Sequence, residues 1–311
     1  MSKRYLFTVI ASLVLAFFLL KNIDFASITG LKISPFFLLQ ALVVMGVSYV
    51  VRAYYYRITT RSCHLRVLDF WKVTAVYNFL STIIPFSAGH YSYVHFLKKY
   101  FQIERLTSAG SLLIFHLFKA GIILVMTIVA LYYCRVDFSV DLSGFSYKKG
   151  LLVSLFVIIL LGGFVLRNGT AGLKENYLNF RHKIVHEINS YSSLWFVFRL
   201  LLLNVLNVAA ALVYFLLIFK CFGFNLPFAH IVLLLGLVNF SAMLPIHGYG
   251  RIGTQEGVMV GLLVLLGYDQ GHSITMSFAT HLLELFFQAC LASVGYISLI
   301  ARKQKKIRGV V

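Results

Sequence analysis

Six long apolar runs dominate the chain, at residues 5–20, 35–56, 107–134, 151–166, 195–220 and 274–300. At about 1.5 Å per helical residue, each can cross most or all of a ~30 Å hydrocarbon core, so the pattern predicts six full membrane spans. Two further apolar stretches, 67–97 and 228–267, break near their middles, at Pro85 to Gly89 and at Pro245 to Gly253. Each is predicted to be a hairpin of two half-helices. Residues 172–193 differ: Leu173, Tyr177, Phe180, Ile184 and Ile188 recur at helical spacing among Lys174, Glu175, Arg181, Lys183 and Glu187. That is the pattern of an amphipathic helix on a membrane surface.

The polar residues inside these runs repeat. Asn78-Phe79 leads through Pro85 to Gly89, and then to His116 and Lys119; Asn239-Phe240 leads through Pro245 to Gly250, and then to His281 and Glu284. The offsets are 161 for the asparagines, 160 for the prolines, 161 for the glycines and 165 for the histidines. Matched interruptions in two halves of a membrane chain mark an internal structural repeat of the transporter type.

Basic residues decide how the two halves face. With the amino terminus inside, eighteen of them fall in inner segments, including the tail from Arg302 to Arg308, and six fall in outer ones. Under the positive-inside rule this places both termini in the cytoplasm. It also requires residues 67–97 to enter from the cytoplasm and return, and residues 228–267 to enter from outside and return. The expected fold is therefore a single all-α polytopic membrane domain over 1–311: six full spans and two opposed re-entrant helical hairpins, in an inverted repeat of halves 35–134 and 195–300, with a cytoplasmic amphipathic helix at 172–193. The protein is expected to be integral to the cytoplasmic membrane. Lys3-Arg4 and the run to Leu20 have the start of a signal peptide, but no clean small-residue cleavage site follows, and the run reads as a retained span.

The breaks are the first place to look for chemistry. Irregular backbone at membrane depth is tolerated only where protein or water satisfies it, so both breaks should line a cavity. Gly89, Gly248, Gly250, Gly253 and Gly257 permit close backbone approach. A half-helix starting there points free N–H groups at an anion. Arg251 adds a permanent charge that can grip two oxygens at once; its other reading is a side chain that snorkels to the surface or pairs with Glu256. Lys119 and Glu284 each lie ~16–18 Å into their spans by helical rise, on the same faces as His116 and His281. A charge at that depth costs roughly 2.5–3.5 kcal/mol, so both should face the protein interior. Contact across the pseudo-twofold axis would make them either a static ion pair or a gate that an anion can break. His90 and His247 are further candidates, with the hydrogen-bonding role of a core histidine as the plainer reading. The candidate binding set is Asn78, Pro85, Gly89, His90, His116, Lys119, Asn239, Pro245, His247, Gly250, Arg251, Gly253, Glu256, His281 and Glu284.

Composition narrows the classes. With 60% hydrophobic and 12% charged residues the natural solvent is the bilayer. The net charge of +18 is spread through short segments between apolar runs, which is not a nucleic-acid groove. Cys63, Cys134, Cys221 and Cys290 lie far apart and suggest neither a disulfide framework nor a metal site, and no cofactor is implied. No catalytic triad, phosphate loop or carboxylate pair can be identified, so no catalytic residue is nominated and an enzyme is not expected.

The segment Pro245-Ile246-His247-Gly248-Tyr249-Gly250-Arg251-Ile252-Gly253-Thr254-Gln255-Glu256-Gly257 resembles the later signature of the lysylphosphatidylglycerol synthase transmembrane family, often called flippase-like membrane proteins. Asn78-Phe79 through Pro85 to Gly89 resembles the earlier one, and the likeness runs over essentially the whole chain. The chain departs from that pattern at Ser87 and His90, where the family commonly has arginine and glutamate, at Gln255, where an arginine precedes the glutamate, and at His116 and Lys119. The resemblance implies movement of an anionic lipid or lipid-linked headgroup between leaflets, an anionic phospholipid or a polyprenyl-phosphate-linked lipid being the expected partner. The aminoacyl-transferase domain of the bifunctional synthases is not expected, since the chain stops at Val311. Two alternatives stay open: a proton-coupled transporter of a small soluble anion, and a non-transporting partner of a lipid-modifying enzyme. Such an enzyme and a second copy of the chain are the candidate protein partners.

Overall fold

The computed structural model describes residues 33–62, 64–84, 89–134, 194–243 and 249–307. All regular structure among them is helical: α1 Pro35–Thr59, α2 Val67–Ile83, α3 His90–Phe101, α4 Arg105–Cys134, α5 Leu194–Cys221, α6 Phe228–Met243, a 3-10 turn Tyr249–Arg251, α7 Thr254–Leu265 and α8 Gln270–Ile307. The helices packed together belong to one unit, Met1–Val136 with Phe198–Val311; Asp137–Val197 form a second. The predicted spans 5–20 and 151–166 and the amphipathic helix 172–193 lie outside the described residues.

Four helices are long and apolar enough to cross a membrane: Pro35–Thr59, Arg105–Cys134, Leu194–Cys221 and Gln270–Arg302. They coincide with the four predicted spans that fall in the described residues. The protein is an integral membrane protein. Its outward surface is apolar in helical register: Phe36, Leu39, Val43, Val47 and Val50 form an exposed stripe on α1, and Leu282, Phe286, Val294 and Ile297 are exposed on α8. A helix facing water would carry polar residues there; hydrocarbon suits these.

Both interrupted stretches are pairs of short helices. α2 and α3 pack on one another, as do α6 and α7, and α3 and α7 continue against α4 and α8 respectively. The leading helices cross over. α2 lies along α8, while α6 lies along α4, so the leading helix of each interrupted pair rests on the long helix that follows the other pair. Small residues make both crossings close, as they do between membrane helices. A Cβ on Gly295 of α8 would sit 2.8 Å from the Lys72 carbonyl oxygen of α2, and one on Gly236 of α6 would collide with the Thr127 hydroxyl of α4. Beneath the crossings Ile218, Phe219, Leu233, Leu234, Met259, Leu263 and Met276 are fully buried in one hydrophobic core.

At one end of α8 the Arg302 guanidinium holds the Asp69 carboxylate at 2.5 Å and stacks over the Phe101 ring at 4.7 Å. Asp69 also accepts from its own Arg66 N–H and meets Lys72 at 3.5 Å. The start of α2 and the end of α3 therefore meet the same end of α8.

Candidate functional site

The first polar cluster forms where α1, α2 and α5 meet. Arg52 of α1, part-buried in the bundle, donates to the Asn78 side-chain oxygen of α2 and reaches Asn207 of α5 at 3.5 Å. Asn207 is itself fixed by donating to the Ser48 hydroxyl at 2.9 Å. The Tyr49 and Phe115 rings flank the guanidinium at 5.7 and 5.3 Å, a cation–π setting that keeps the charge away from hydrocarbon. Asn78 in turn anchors the end of α2, because its carbonyl accepts from the hydroxyls of Ser81 and Thr82.

The second cluster comes from α4. His116 and Lys119 share a helical face, as their spacing predicts. His116 Nε2 lies 3.2 Å from the Tyr77 hydroxyl of α2, and its ring sits 5.0 Å from that of His90 at the start of α3. Lys119 donates to the Asn239 side-chain oxygen of α6 at 2.7 Å. Asn239 is oriented for this by donating its amide to the Leu235 carbonyl one turn back. The two matched asparagines thus do the same job: each offers a neutral oxygen to a cation from a neighbouring span.

The third cluster is the second break. Gly250, Arg251 and Gly253 all take positive φ, at 63°, 57° and 87°, which reverses the chain between the 3-10 turn and α7. Glycine accepts such angles freely; Arg251 does so only because its surroundings hold it. Its guanidinium reaches the Ser81 carbonyl of α2 at 3.5 Å, and the 3-10 turn packs on that helix. Glu256, in the first turn of α7, accepts from the Gly253 N–H at 2.7 Å and from His281 Nδ1 of α8 at 2.5 Å, with both side chains buried. The carboxylate therefore already occupies the positive end of α7, where an anionic ligand was expected to bind. Arg251 does not pair with Glu256.

These clusters surround one cavity of about 420 Å³. Asn78, His90, His116, Lys119, Asn239, Arg251 and Glu284 of the predicted set line it. Gly89, Gly250 and Gly253 shape the backbone around it. At Gly89 a Cβ would strike the Ser81 backbone, so only glycine lets α3 begin so near the end of α2. Glu256 and His281 form their buried pair outside the lining. Pro85, Pro245 and His247 lie outside the described residues. Lys119 and Glu284 share the cavity but do not form the expected ion pair: Glu284 accepts from Gln255 at 3.1 Å and from Gln288 at 3.0 Å. An amide on each side has taken the place of the opposite charge.

Arg52, Tyr77 and Gln288 also line the cavity without having been candidates, as does Gln255, which stood out in the sequence only as a departure from the family pattern. Arg52 carried a signal, being a charged residue inside an apolar run. Comparison with curated proteins and with solved structures gave no match. A family model does match, that of the lysylphosphatidylglycerol synthase TM region, over residues 5–292. The chain belongs to that family.

Proposed function

We propose that the protein is a flippase-like carrier that moves an anionic lipid or lipid-linked headgroup between the leaflets of the cytoplasmic membrane. The observation that carries this reading is the cavity lining: Arg52, Lys119 and Arg251 face one space with Glu284 as the carboxylate among the described residues. Cations inside an apolar protein are costly unless something negative meets them, and they mark substrate paths in membrane proteins. The polar end of a lipid enters between the two interrupted helix pairs, meets these cations, and leaves its chains among the exposed apolar side chains of the spans. Inverted, re-entrant hairpins would let the same site open to either leaflet. The reciprocal packing of α2 on α8 and of α6 on α4 supports that reading.

Vesicles reconstituted with the purified protein and labelled lipids test it. Accelerated transfer of an anionic phospholipid or polyprenyl-phosphate lipid is expected, and it should fall about tenfold or more in Arg251→Ala or Lys119→Ala, the effect of losing one charged hydrogen bond. Transfer of none of these lipids above protein-free vesicles would overturn the proposal.

A further inference from the structure

The charges around the cavity also say how much negative charge its ligand carries. The three cations have neutral partners: Arg52 meets Asn78 and Asn207, Lys119 meets Asn239, and Arg251 meets the Ser81 carbonyl. Glu284 is likewise held by two neutral amides, Gln255 and Gln288. None of the three cations meets a carboxylate among the described residues; ion pairs elsewhere join Lys72 and Arg302 to Asp69 and His281 to Glu256. The break segments 85–88 and 244–248 contain no acidic residue. Among the described residues that line the cavity, three cations against one carboxylate leave an excess of two positive charges, and protonation of His90 or His116 would only add to it.

Among the buried polar atoms of the lining that have no partner among the described residues, Arg52 Nε and Asn78 Nδ2 are donors, Gln288 Oε1 is an acceptor, and His90 Nδ1 and the Tyr214 hydroxyl can be either. Buried donors without acceptors are rare and point to a group rich in acceptor oxygens. A guanidinium can take two such oxygens side by side, and here two guanidiniums and an ammonium share the walls. The cavity, at about 420 Å³, is within the ordinary range of ligand pockets, ~300–1,000 Å³.

We infer that the cavity selects a polar end carrying two or more negative charges, a phosphate monoester or a diphosphate, over the singly charged phosphodiester of an ordinary anionic phospholipid. A phosphate monoester has about −1.5 to −2 charges at neutral pH and three acceptor oxygens. A phosphodiester would leave one cation of the excess uncompensated in a low-dielectric space, which is the costly arrangement. The inference deepens the transport reading and rests on it for placing the ligand's chains in lipid; the charge selection is a property of binding and can be measured without transport.

Titration of the detergent-purified protein with geranyl diphosphate, geranyl monophosphate, dihexanoyl phosphatidylglycerol and inorganic pyrophosphate tests this, with isothermal calorimetry as the readout. Both geranyl phosphates are expected to bind about tenfold or more tightly than the phosphodiester. Lys119→Gln should shrink that preference, and Lys119→Arg should restore it, which separates lost charge from lost folding. Inorganic pyrophosphate binding as tightly as geranyl diphosphate would uphold the selection for a multiply charged phosphate and assign the ligand to the water phase. Equal affinity for the monophosphate, the diphosphate and the phosphodiester, or preference for the phosphodiester, would overturn the inference while leaving lipid transfer standing. Selective binding without transfer in vesicles would uphold the inference and overturn the carrier.

Discussion

Lys119 and Glu284 face the same cavity, yet each is bonded to amides: Lys119 to Asn239, Glu284 to Gln255 and Gln288. An amide holds a charged side chain in place without cancelling its charge, so the pair stays available to a ligand. Asn239→Leu removes the oxygen that Lys119 donates to and is expected to destabilise the folded protein by about 1.5–3 kcal/mol, the usual loss for a hydrogen bond to a charged group. Thermal unfolding in detergent, compared with wild type, measures it. The buried Glu256 and His281 pair should behave differently from the lining residues. Glu256→Gln weakens both the His281 contact and the cap on the Gly253 N–H, so unfolding should come at a lower temperature by a loss on the order of 2–3 kcal/mol. Much of this was legible in the chain: depth inside an apolar run singled out Lys119 and Glu284, and helical spacing put His116 beside Lys119. Their true partners were not, because Asn239 reaches Lys119 only through the packing of α6 on α4, a contact between residues 120 positions apart. Arg52 was as visible as Lys119, a charge inside an apolar run, but its partners Asn78 and Asn207 were not, since they come to it from two other helices.

At the scale of the helices, glycines set the distances. Gly295 lets α8 touch the backbone of α2, and Gly89 lets α3 start against the last turn of α2. In Gly295→Leu the side chain would have to push the Lys72 carbonyl and Ala75 aside, and overpacking of this kind costs typically 1–3 kcal/mol. A lower unfolding temperature with the variant still inserted in the membrane is expected. Gly89→Val should be worse, because its neighbours are the Ser81 and Leu80 backbone atoms, which cannot swing away; a reduced yield of monodisperse protein on size-exclusion chromatography is the readout. The proline and glycine punctuation marked where each helix pair would break, and the described helices start and stop on either side of those marks. The crossing of α2 onto α8 left no comparable mark, because a glycine in a long apolar run looks the same whichever helix it faces.

For the whole molecule, the contact of Arg302 with both Asp69 and Phe101 bears on how the chain threads the bilayer. In a cysteine-free background, Arg66→Cys and Gln102→Cys should react with a membrane-impermeant thiol reagent from the same side, as the ends of a stretch that enters and returns. Reaction from opposite sides would make residues 67–97 a crossing and remove the inverted repeat. Apolar run length was enough to find the four spans among the described helices, since only length and hydropathy decide whether a helix can cross. The reciprocal packing of α2 on α8 and α6 on α4 has a further consequence for motion. Residues 35–134 and 195–300 each lodge a helix against the other, so these segments would not separate as blocks without stripping a buried seam. Any pivoting would therefore carry the mixed couples, α2 with α8 and α4 with α6, as units. Arg251 spans from the turn before α7 to α2, and Lys119 ties α4 to α6, so a ligand drawing those two cations together would pull one couple toward the other.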